Sequence, residues 1–276
     1  MAKVTGQVLK EMKQRGEKIT YLTAYDYSTG LLLDKAGIDV ILVGDSLGMT
    51  MMGEDTTIPV TMEEMIHHIK CVVKGAKNPM IVGDMPFGSY NISNEQAIMN
   101  ATRLMKEGGC DVVKLEGGAL VKDTVRAIVN AGIPVMGHIG LTPQTISKMG
   151  GFKVQGKNAE GAKALIEDAK ALEDAGAFSI VLECIPAPIS KMITEAVSIP
   201  TLGIGAGIHC DGQVMVFHDM VGLFDKFTPK FVKKYTNLTE IILKALEEFK
   251  EEVKTQKFPE EKHSFIIKEE ELNKMY

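Results

Sequence analysis

The sequence predicts a (β/α)8 barrel, and three features favour this fold. Short, almost continuously apolar runs alternate with longer amphipathic stretches, which is typical of parallel strands that are covered by helices. The strand-length runs number eight, the number of strands in this barrel. A length of 276 residues also suits a barrel of this type.

The eight predicted strands follow one another along most of the chain, and turn residues bound each of them. The amphipathic stretches between them, such as NEQAIMNATRLMKEGG, end at or next to glycine, as helices often do. The predicted strands are ITYLTAYD (19–26), DVILVGDS (39–46), MIVGDMP (80–86), DVVKLEGG (111–118), IPVMGHIG (133–140), FSIVLEC (178–184), IPTLGIGAG (199–207) and QVMVFHDM (213–220).

The main alternative is a doubly wound open sheet, but the chain has no glycine fingerprint of the kind that begins a Rossmann fold. The segment IHCDG between the seventh and eighth strands is too short for a crossover helix. After residue 222, helical and charged sequence predicts the last barrel helices. We therefore expect one barrel domain over 1–276, with a helical, charged C-terminal extension from about residue 255.

One connection is unusually long. Residues 141–160, LTPQTISKMGGFKVQGKNAE, are rich in glycine and polar residues and follow the fifth predicted strand. Long loops in compact domains usually serve function, so this segment is a candidate lid over the site.

Composition restricts the class of function. Hydrophobic residues make up 45% of the chain and charged residues 24%, with a net charge of −5 and both signs scattered. The absence of a basic patch argues against nucleic acid as a partner and favours a small molecule. The chain shows no signal peptide and no run long enough to span a membrane. Its four widely spaced cysteines suit reduced thiols in the cytoplasm.

Ionisable residues recur at the same end of consecutive strands. Active sites of these barrels form at the carboxyl ends of the strands, so the last residues of each strand are the candidates. Strands two to six end in Asp45 and Ser46, in Asp84, in Lys114 and Glu116, in His138 and in Glu183. We expect these side chains to converge on one mouth of the barrel.

Strand four carries two charges on one face. Lys114 and Glu116 are two residues apart, so they project to the same side, while the apolar residues next to them project to the other. Charged groups are rarely buried without a partner or a metal. Three convergent carboxylates, Asp45, Asp84 and Glu116, would repel one another unless a cation lay among them. Oxygen ligands of this kind favour Mg²⁺ over zinc.

Most of these residues also have a purely structural interpretation. Asp45 could cap the following helix, and Asp84 could be a turn residue before Met-Pro. Lys114 and Glu116 could form a salt bridge inside the barrel, and His138 could be a core histidine. For Glu183, which lies among apolar neighbours in VLECIP, we find little structural reason.

Several motifs resemble one known family. The segments AYDYSTGLLLDKAGIDVILVGDSLGM, GDMPFGSY, VKLEGG, MGHIGLTPQ, LECIP and TLGIGAGIHCDGQVMVFHDMVG are similar to ketopantoate hydroxymethyltransferases. The likeness runs in order from about residue 3 to 255, and only the tail FPEEKHSFIIKEEELNKMY diverges. It implies a (β/α)8 barrel that uses Mg²⁺ and takes its one-carbon unit from 5,10-methylenetetrahydrofolate. The acceptor is the 2-oxo acid 3-methyl-2-oxobutanoate, and the product ketopantoate begins pantothenate synthesis. It also implies a cytoplasmic homo-oligomer, often a decamer.

The resemblance assigns roles by position. Asp45 and Asp84 match the metal-binding aspartates, which also lie against the substrate, and Glu116 matches a third acidic residue near the metal. Ser46 and Lys114 match residues that hold the 2-oxo acid. None of these positions departs from the family's motifs.

The same resemblance makes Glu183 the catalytic base. It would remove the C3 proton of the oxo acid, and the resulting enolate would attack the methylene carbon of the folate. Lys114 would supply positive charge to the substrate's carboxylate or enolate oxygen. His138 would orient a water or contact substrate, and its role stays open.

Two alternatives lead to different functions. An isocitrate-lyase-like carbon–carbon lyase would also gather carboxylates around Mg²⁺, but such lyases carry a reactive cysteine in the lid, and 141–160 has none. A non-catalytic barrel for ligand binding or assembly would leave gaps in the polar set at the strand ends. No such gap is found in the sequence.

Overall fold

Eight parallel strands close into one barrel in chain order, and the first pairs with the eighth. The structure is a computed structural model that describes residues 2–276, apart from the side chain of Met149. All eight predicted strands are present, and several end earlier than predicted. They are β1 Ile19–Thr23, β2 Val40–Val43, β3 Met80–Asp84, β4 Val112–Glu116, β5 Val135–Gly140, β6 Ser179–Glu183, β7 Thr201–Ile204 and β8 Gly212–Met215.

Helices follow most of the strands and cover the barrel from outside. A π-helical segment, 104–108, continues α5. The α-helices are α1 Gly6–Arg15, α2 Tyr27–Ala36, α3 Leu47–Thr50, α4 Met62–Gly75, α5 Asn94–Arg103, α6 Lys122–Asn130, α7 Ile146–Met149, α8 Ala159–Asp174, α9 Ala187–Ala196, α10 Phe217–Met220, α11 Leu238–Lys254 and α12 Glu269–Leu272. Within residues 2–276, none of them is both long and apolar enough to cross a bilayer.

Side-chain caps fix where the outer helices begin. Before α4, the Thr61 hydroxyl accepts from the backbone N–H of Glu64, and the Glu64 carboxylate accepts in return from the N–H of Thr61. Ser93 and Asn158 cap α5 and α8 in the simpler one-way manner. These bonds satisfy backbone donors that the first helical turn leaves free.

The apolar core has two layers, because alternate side chains along each strand point outward to the helices and inward to the barrel axis. Val113 and Leu115 belong to the layer between the barrel and the helices, as the sequence predicts. Residues such as Val82 and Met136 fill the barrel interior, and Leu9 of α1 joins them. Helix α1 therefore plugs the amino-terminal end of the barrel and leaves the carboxyl end for the site.

The prediction for the C-terminal part was wrong in one respect. No helix separates β7 from β8, as expected, but α11 does not serve as a last barrel helix, because none of its residues is buried. Its apolar residues, among them Ile242, Leu246 and Phe249, are exposed. Amphipathic sequence therefore predicted the helix correctly but not what it packs against.

The close crossing of α2 and α4 gives a test of the fold. A methyl group on Gly75 would overlap the carbonyl oxygen of Tyr27 and lie 2.9 Å from Leu31 N. We expect Gly75→Ala to lower the free energy of unfolding by about 1–3 kcal/mol through this overpacking. Helix propensity alone predicts the opposite sign, a gain of up to about 1 kcal/mol. Urea unfolding measures the change, with Lys74→Ala on the exposed face as control. A more stable Gly75→Ala protein would contradict the close crossing.

Candidate active site

A cavity of about 400 Å³ opens at the carboxyl ends of the strands. The structure brings every candidate residue into its wall, from five consecutive strands and the turns after them. The seven are Asp45, Ser46, Asp84, Lys114, Glu116, His138 and Glu183. The convergence that the sequence predicts is therefore present.

Strand register places these side chains next to one another. Asp84 on β3 lies beside Lys114 on β4, and Glu116 on β4 lies beside His138 on β5. Glu183 on β6 is paired with a glycine of β5, Gly140. A side chain on Gly140 would overlap the carbonyl oxygen of Glu183, and its φ of 95° is one that glycine adopts without strain. Close approach of the two strands therefore requires glycine there.

Lys114 is the buried cation of the cluster. Its Nζ lies 2.8 Å from Asp84 Oδ1, 3.4 Å from His138 Nδ1 and 4.0 Å from Glu116 Oε1. Burial opposes its charge, but the carboxylates around it, led by Asp84, outweigh burial and raise the pKa of Lys114. The ammonium therefore stays charged in the barrel interior.

The pKa values of the two aspartates are shifted upward, whereas the pKa of Glu116 is shifted downward. Burial, with the charges of Asp84 and Glu116, raises the pKa of Asp45 well above its ordinary value. Burial also raises the pKa of Asp84, although Lys114 opposes the shift. For Glu116, burial is outweighed by His138, Lys114 and a backbone N–H of Gln144, so its pKa is lowered. The aspartates are thus the carboxylates most in need of a further cation.

His138 lies between two carboxylates. Its Nδ1 is 3.4 Å from Glu116 Oε1, and its Nε2 is 3.2 Å from Glu183 Oε2. Burial and the charge of Lys114 oppose protonation, but Glu116 and Glu183 outweigh them and raise the pKa of His138 to about 9. The Glu183 side chain lines the cavity and is 16% exposed, more than that of His138 at 4%.

The structural alternatives for the two aspartates are not supported, whereas the salt bridge between Lys114 and Glu116 is present at 4.0 Å. Asp45 caps no helix, because Ser46 holds the N-cap position before α3 and makes no side-chain cap bond either. The Ser46 hydroxyl instead lies 2.8 Å from the hydroxyl of Tyr25. Asp84 is the last residue of β3 rather than a turn residue, and its short contact shows that Lys114 pairs with Asp84 more closely than with Glu116.

Two buried residues of the site were missed from the sequence. Gln144, in the turn after β5, donates from Nε2 to Asp45 Oδ2 at 2.9 Å. The Tyr90 hydroxyl lies 2.7 Å from Gln144 Oε1. Both lie within motifs already quoted, GLTPQ and GDMPFGSY, but nothing local in either motif indicates such distant partners.

The donor set suits a magnesium ion. Within the cluster at the base of the cavity, the four carboxyl groups of Asp45, Asp84, Glu116 and Glu183 outnumber the two basic groups, Lys114 and His138. Among residues 2–276, no three His, Cys, Asp or Glu side chains already form a metal-binding group. Mg²⁺ does not require one, because it commonly binds through one or two carboxylates and completes its shell with water and substrate oxygens.

The outer rim of the cavity has a different character. Two loops contribute to it, the candidate lid with Phe152 and Lys153, and residues 224–231 with Phe227 and Lys230. Phe152 and Phe227 are largely exposed. The cavity is therefore charged at its base and both aromatic and cationic at its mouth.

The chain matches known proteins over its full length. A family model described as "Ketopantoate hydroxymethyltransferase" matches residues 3–261. The chain is 58% identical over 276 residues to a 3-methyl-2-oxobutanoate hydroxymethyltransferase of Syntrophomonas wolfei, covering 100% of both chains. It is 59% identical to one of Clostridium botulinum, covering 99% of each. Among solved structures, 2,3-dimethylmalate lyase of the PEP mutase/isocitrate lyase superfamily has a TM-score of 0.60 at 13% identity, with 98% of this chain and 93% of that chain covered. That last likeness supports the barrel fold alone.

The protonation of His138 can be measured directly. In metal-free protein we expect its ring to titrate near pH 9, because Glu116 and Glu183 stabilise the imidazolium. NMR of the histidine ring carbons measures the midpoint, and His138→Gln assigns the resonance. A midpoint at or below the ordinary 6.5 would contradict this placement.

The same shift fixes the sign of the pH dependence of stability. Because the folded-state pKa lies above the ordinary 6.5, the stabilisation is complete below about pH 6.5 and is lost as pH rises through about 9. The stability advantage of the parent over His138→Gln should shrink across that range in metal-free urea unfolding.

Proposed function

The chain belongs to the ketopantoate hydroxymethyltransferase family, and from this premise we propose that it transfers a hydroxymethyl group from 5,10-methylenetetrahydrofolate to 3-methyl-2-oxobutanoate. The observation that carries the proposal is the match to enzymes of this name over the whole chain. The complete set of polar residues at the strand ends supports it, because a non-catalytic relative would have no need to keep them.

The reaction requires one water. The methylene carbon is bonded to two nitrogens in the folate, whereas in the product it is bonded to the new carbon and to one oxygen. The new carbon–carbon bond joins it to C3 of the oxo acid, C3 loses a proton, and both carbon–nitrogen bonds break. Water supplies the hydroxyl oxygen, and tetrahydrofolate leaves.

Asp45 and Asp84 are the residues proposed to hold Mg²⁺ directly, with Glu116 acting through a water. When bound, the ion supplies a Lewis acid that draws electron density from the carboxylate and keto oxygens of the substrate. The raised pKa of both aspartates supports this assignment, because burial among like charges leaves them short of positive charge.

Lys114 and Ser46 are proposed to bind the oxo acid. Lys114 remains charged in the interior, so it can stabilise negative charge on the substrate's carboxylate or on the enolate oxygen. The Ser46 hydroxyl shares a hydrogen bond with Tyr25, which fixes its position at the cavity wall. Asp45 and Asp84 also line the part of the cavity that the oxo acid would occupy.

Glu183 is proposed as the base that removes the C3 proton. It reaches the cavity from the end of β6, opposite the aspartates of β2 and β3 in the strand order. His138 Nε2 lies 3.2 Å from Glu183 Oε2 and so holds this carboxylate at the cavity wall. A general base of this kind contributes about 10²–10⁴-fold to the rate.

The folate is proposed to lie at the mouth of the cavity. Phe152 and Phe227 offer rings for stacking against a flat heterocycle. Lys153 and Lys230 lie at the same rim and suit the anionic glutamate tail. An isocitrate-lyase-like activity is not favoured, because the family match is to the hydroxymethyltransferases.

Location, assembly and domain organisation are further parts of the proposal. Free thiols at all four cysteines support a reducing, cytoplasmic setting. The exposed apolar residues of α11 support a homo-oligomer, since a second copy could cover them. We propose a single barrel domain with the C-terminal extension from about residue 255.

Metal binding tests the roles of the aspartates. We expect Asp84→Ala to weaken Mg²⁺ binding at least about tenfold, because it removes a ligand from the metal. Isothermal calorimetry on the parent and the variant measures this. Asp219→Ala is the matched control, since Asp219 lines the same cavity but lies in α10, after β8, where no proposed metal ligand lies. Unchanged affinity in Asp84→Ala would remove this residue from the metal site.

Proton exchange tests the base without the transfer step. With Mg²⁺ and no folate, the enzyme should exchange the C3 hydrogen of 3-methyl-2-oxobutanoate for deuterium in D₂O. Glu183→Gln keeps the size of the side chain but cannot accept the proton, so exchange should slow by about 10²–10⁴-fold. Proton NMR follows the signal, with the exposed Glu167→Gln as control. Exchange at the parent rate in Glu183→Gln would require another base.

A further inference from the structure

Gln144 is an uncharged residue at the base of a charged site. Its side chain is only 2% exposed, and it lies in the single 3₁₀ turn that follows β5. Nε2 donates to Asp45 Oδ2 and to the carbonyl oxygen of Met85, both at 2.9 Å. Its backbone N–H donates to Glu116 Oε2 at 3.1 Å. One residue thus contacts two of the three carboxylates proposed for the metal.

Tyr90 fixes which way the amide points. Its hydroxyl has two acceptors in reach, Gln144 Oε1 at 2.7 Å and the Glu116 carbonyl oxygen at 3.2 Å, and it donates to the nearer one, Gln144. The hydroxyl also accepts from the backbone N–H of Glu116 at 3.2 Å. The amide oxygen therefore faces a donor, and both amide hydrogens face acceptors. A flipped amide would set its oxygen against two acceptors, Asp45 Oδ2 and the Met85 carbonyl, so the network favours the orientation described.

We propose that Gln144, held by Tyr90, is a positioning residue that sets which oxygens of Asp45 and Glu116 face the cation. The Gln144 amide donates a hydrogen bond to Asp45 Oδ2, and its backbone N–H donates one to Glu116 Oε2. Asp45 Oδ1 is then the oxygen left for a metal, whereas Glu116 Oε1 stays in contact with His138 Nδ1 at 3.4 Å and can reach the metal only through a water. The inference rests on the proposed function, because it takes these carboxylates as the metal site.

The arrangement acts before any metal binds. Carboxylates that are buried close together repel one another and would otherwise rotate apart or take up protons. Donors fixed in the fold hold the carboxylate oxygens in place. The carboxylates therefore lose less conformational freedom when a metal ion binds. The turn that carries Gln144 begins with Pro143, which limits the freedom of its backbone.

Gln144→Met is the sharpest test. Methionine has a similar volume and fills the buried position, but it offers no donor to Asp45. We expect affinity for Mn²⁺, used as a paramagnetic probe in place of Mg²⁺, to fall about 10- to 100-fold. Electron paramagnetic resonance of free Mn²⁺ measures this without substrate or turnover.

Two further variants separate positioning from packing. Tyr90→Phe removes the hydroxyl that orients the amide, and Mn²⁺ affinity should fall about fivefold, the loss expected for one hydrogen bond. Asn100→Ala is the control, since Asn100 is a buried amide that donates to the backbone carbonyl of Ser89 and contacts no carboxylate. It should lower the metal-free Tm and leave Mn²⁺ affinity within about twofold. If Gln144→Met fails to fold, the comparison of Tyr90→Phe with Asn100→Ala decides the question.

The outcomes distinguish this inference from the proposed function. Parent protein that binds no Mn²⁺ would overturn the proposed metal site and the positioning role together. Parent protein that binds Mn²⁺ while Gln144→Met binds it equally well would overturn the positioning role and leave the proposed function standing. A lower metal-free Tm with unchanged affinity would show that Gln144 serves only the fold, and would overturn the inference as well.

Discussion

The site depends on one buried ion pair, that between Lys114 and Asp84 at 2.8 Å. Both side chains are almost completely buried at the ends of adjacent strands, where an unpaired charge would cost several kcal/mol. Removing either partner would leave the other uncompensated in the barrel interior. The pair therefore requires that β3 and β4 keep the register that sets these two residues side by side. Every other charge of the cluster is arranged around that pair.

The charged layer also explains how the barrel interior is divided. Below the cluster, side chains such as Val82 and Met136 fill the barrel, and α1 closes its amino-terminal end with Leu9. The cavity that the cluster lines therefore opens at the carboxyl end, where the charged layer makes its base. Apolar filling beneath the cluster keeps water out, which strengthens every electrostatic interaction within it. The apolar core of the barrel and the charged cluster thus lie at opposite ends of the same strands.

The sequence predicts those features that depend on residues close together along the chain, and it misses those that depend on distant residues. Alternation along a strand is local, so it placed Lys114 and Glu116 on the inner face correctly, and the barrel rule brought the strand ends together. Gln144 and Tyr90 escaped notice because their partners lie far away along the chain; Gln144 and Asp45 are 99 residues apart. Helix α11 was predicted as a helix but wrongly as a barrel helix. Its amphipathic pattern states that one face is apolar and says nothing of what covers it.

Protons and the proposed metal ion would compete for the same carboxylate oxygens. Without a divalent cation, burial and the charges of neighbouring carboxylates raise the pKa of both Asp45 and Asp84, and the ion pair with Lys114 opposes the shift at Asp84. A cation bound by these oxygens would favour their ionised forms, so its affinity would rise with pH. Glu116 is different, because His138, Lys114 and the Gln144 N–H keep its pKa low. The fold thus favours the ionised form of Glu116 through its own donors, whereas the donors to the two aspartates do not outweigh burial, and these are the carboxylates that the proposed metal ion would stabilise.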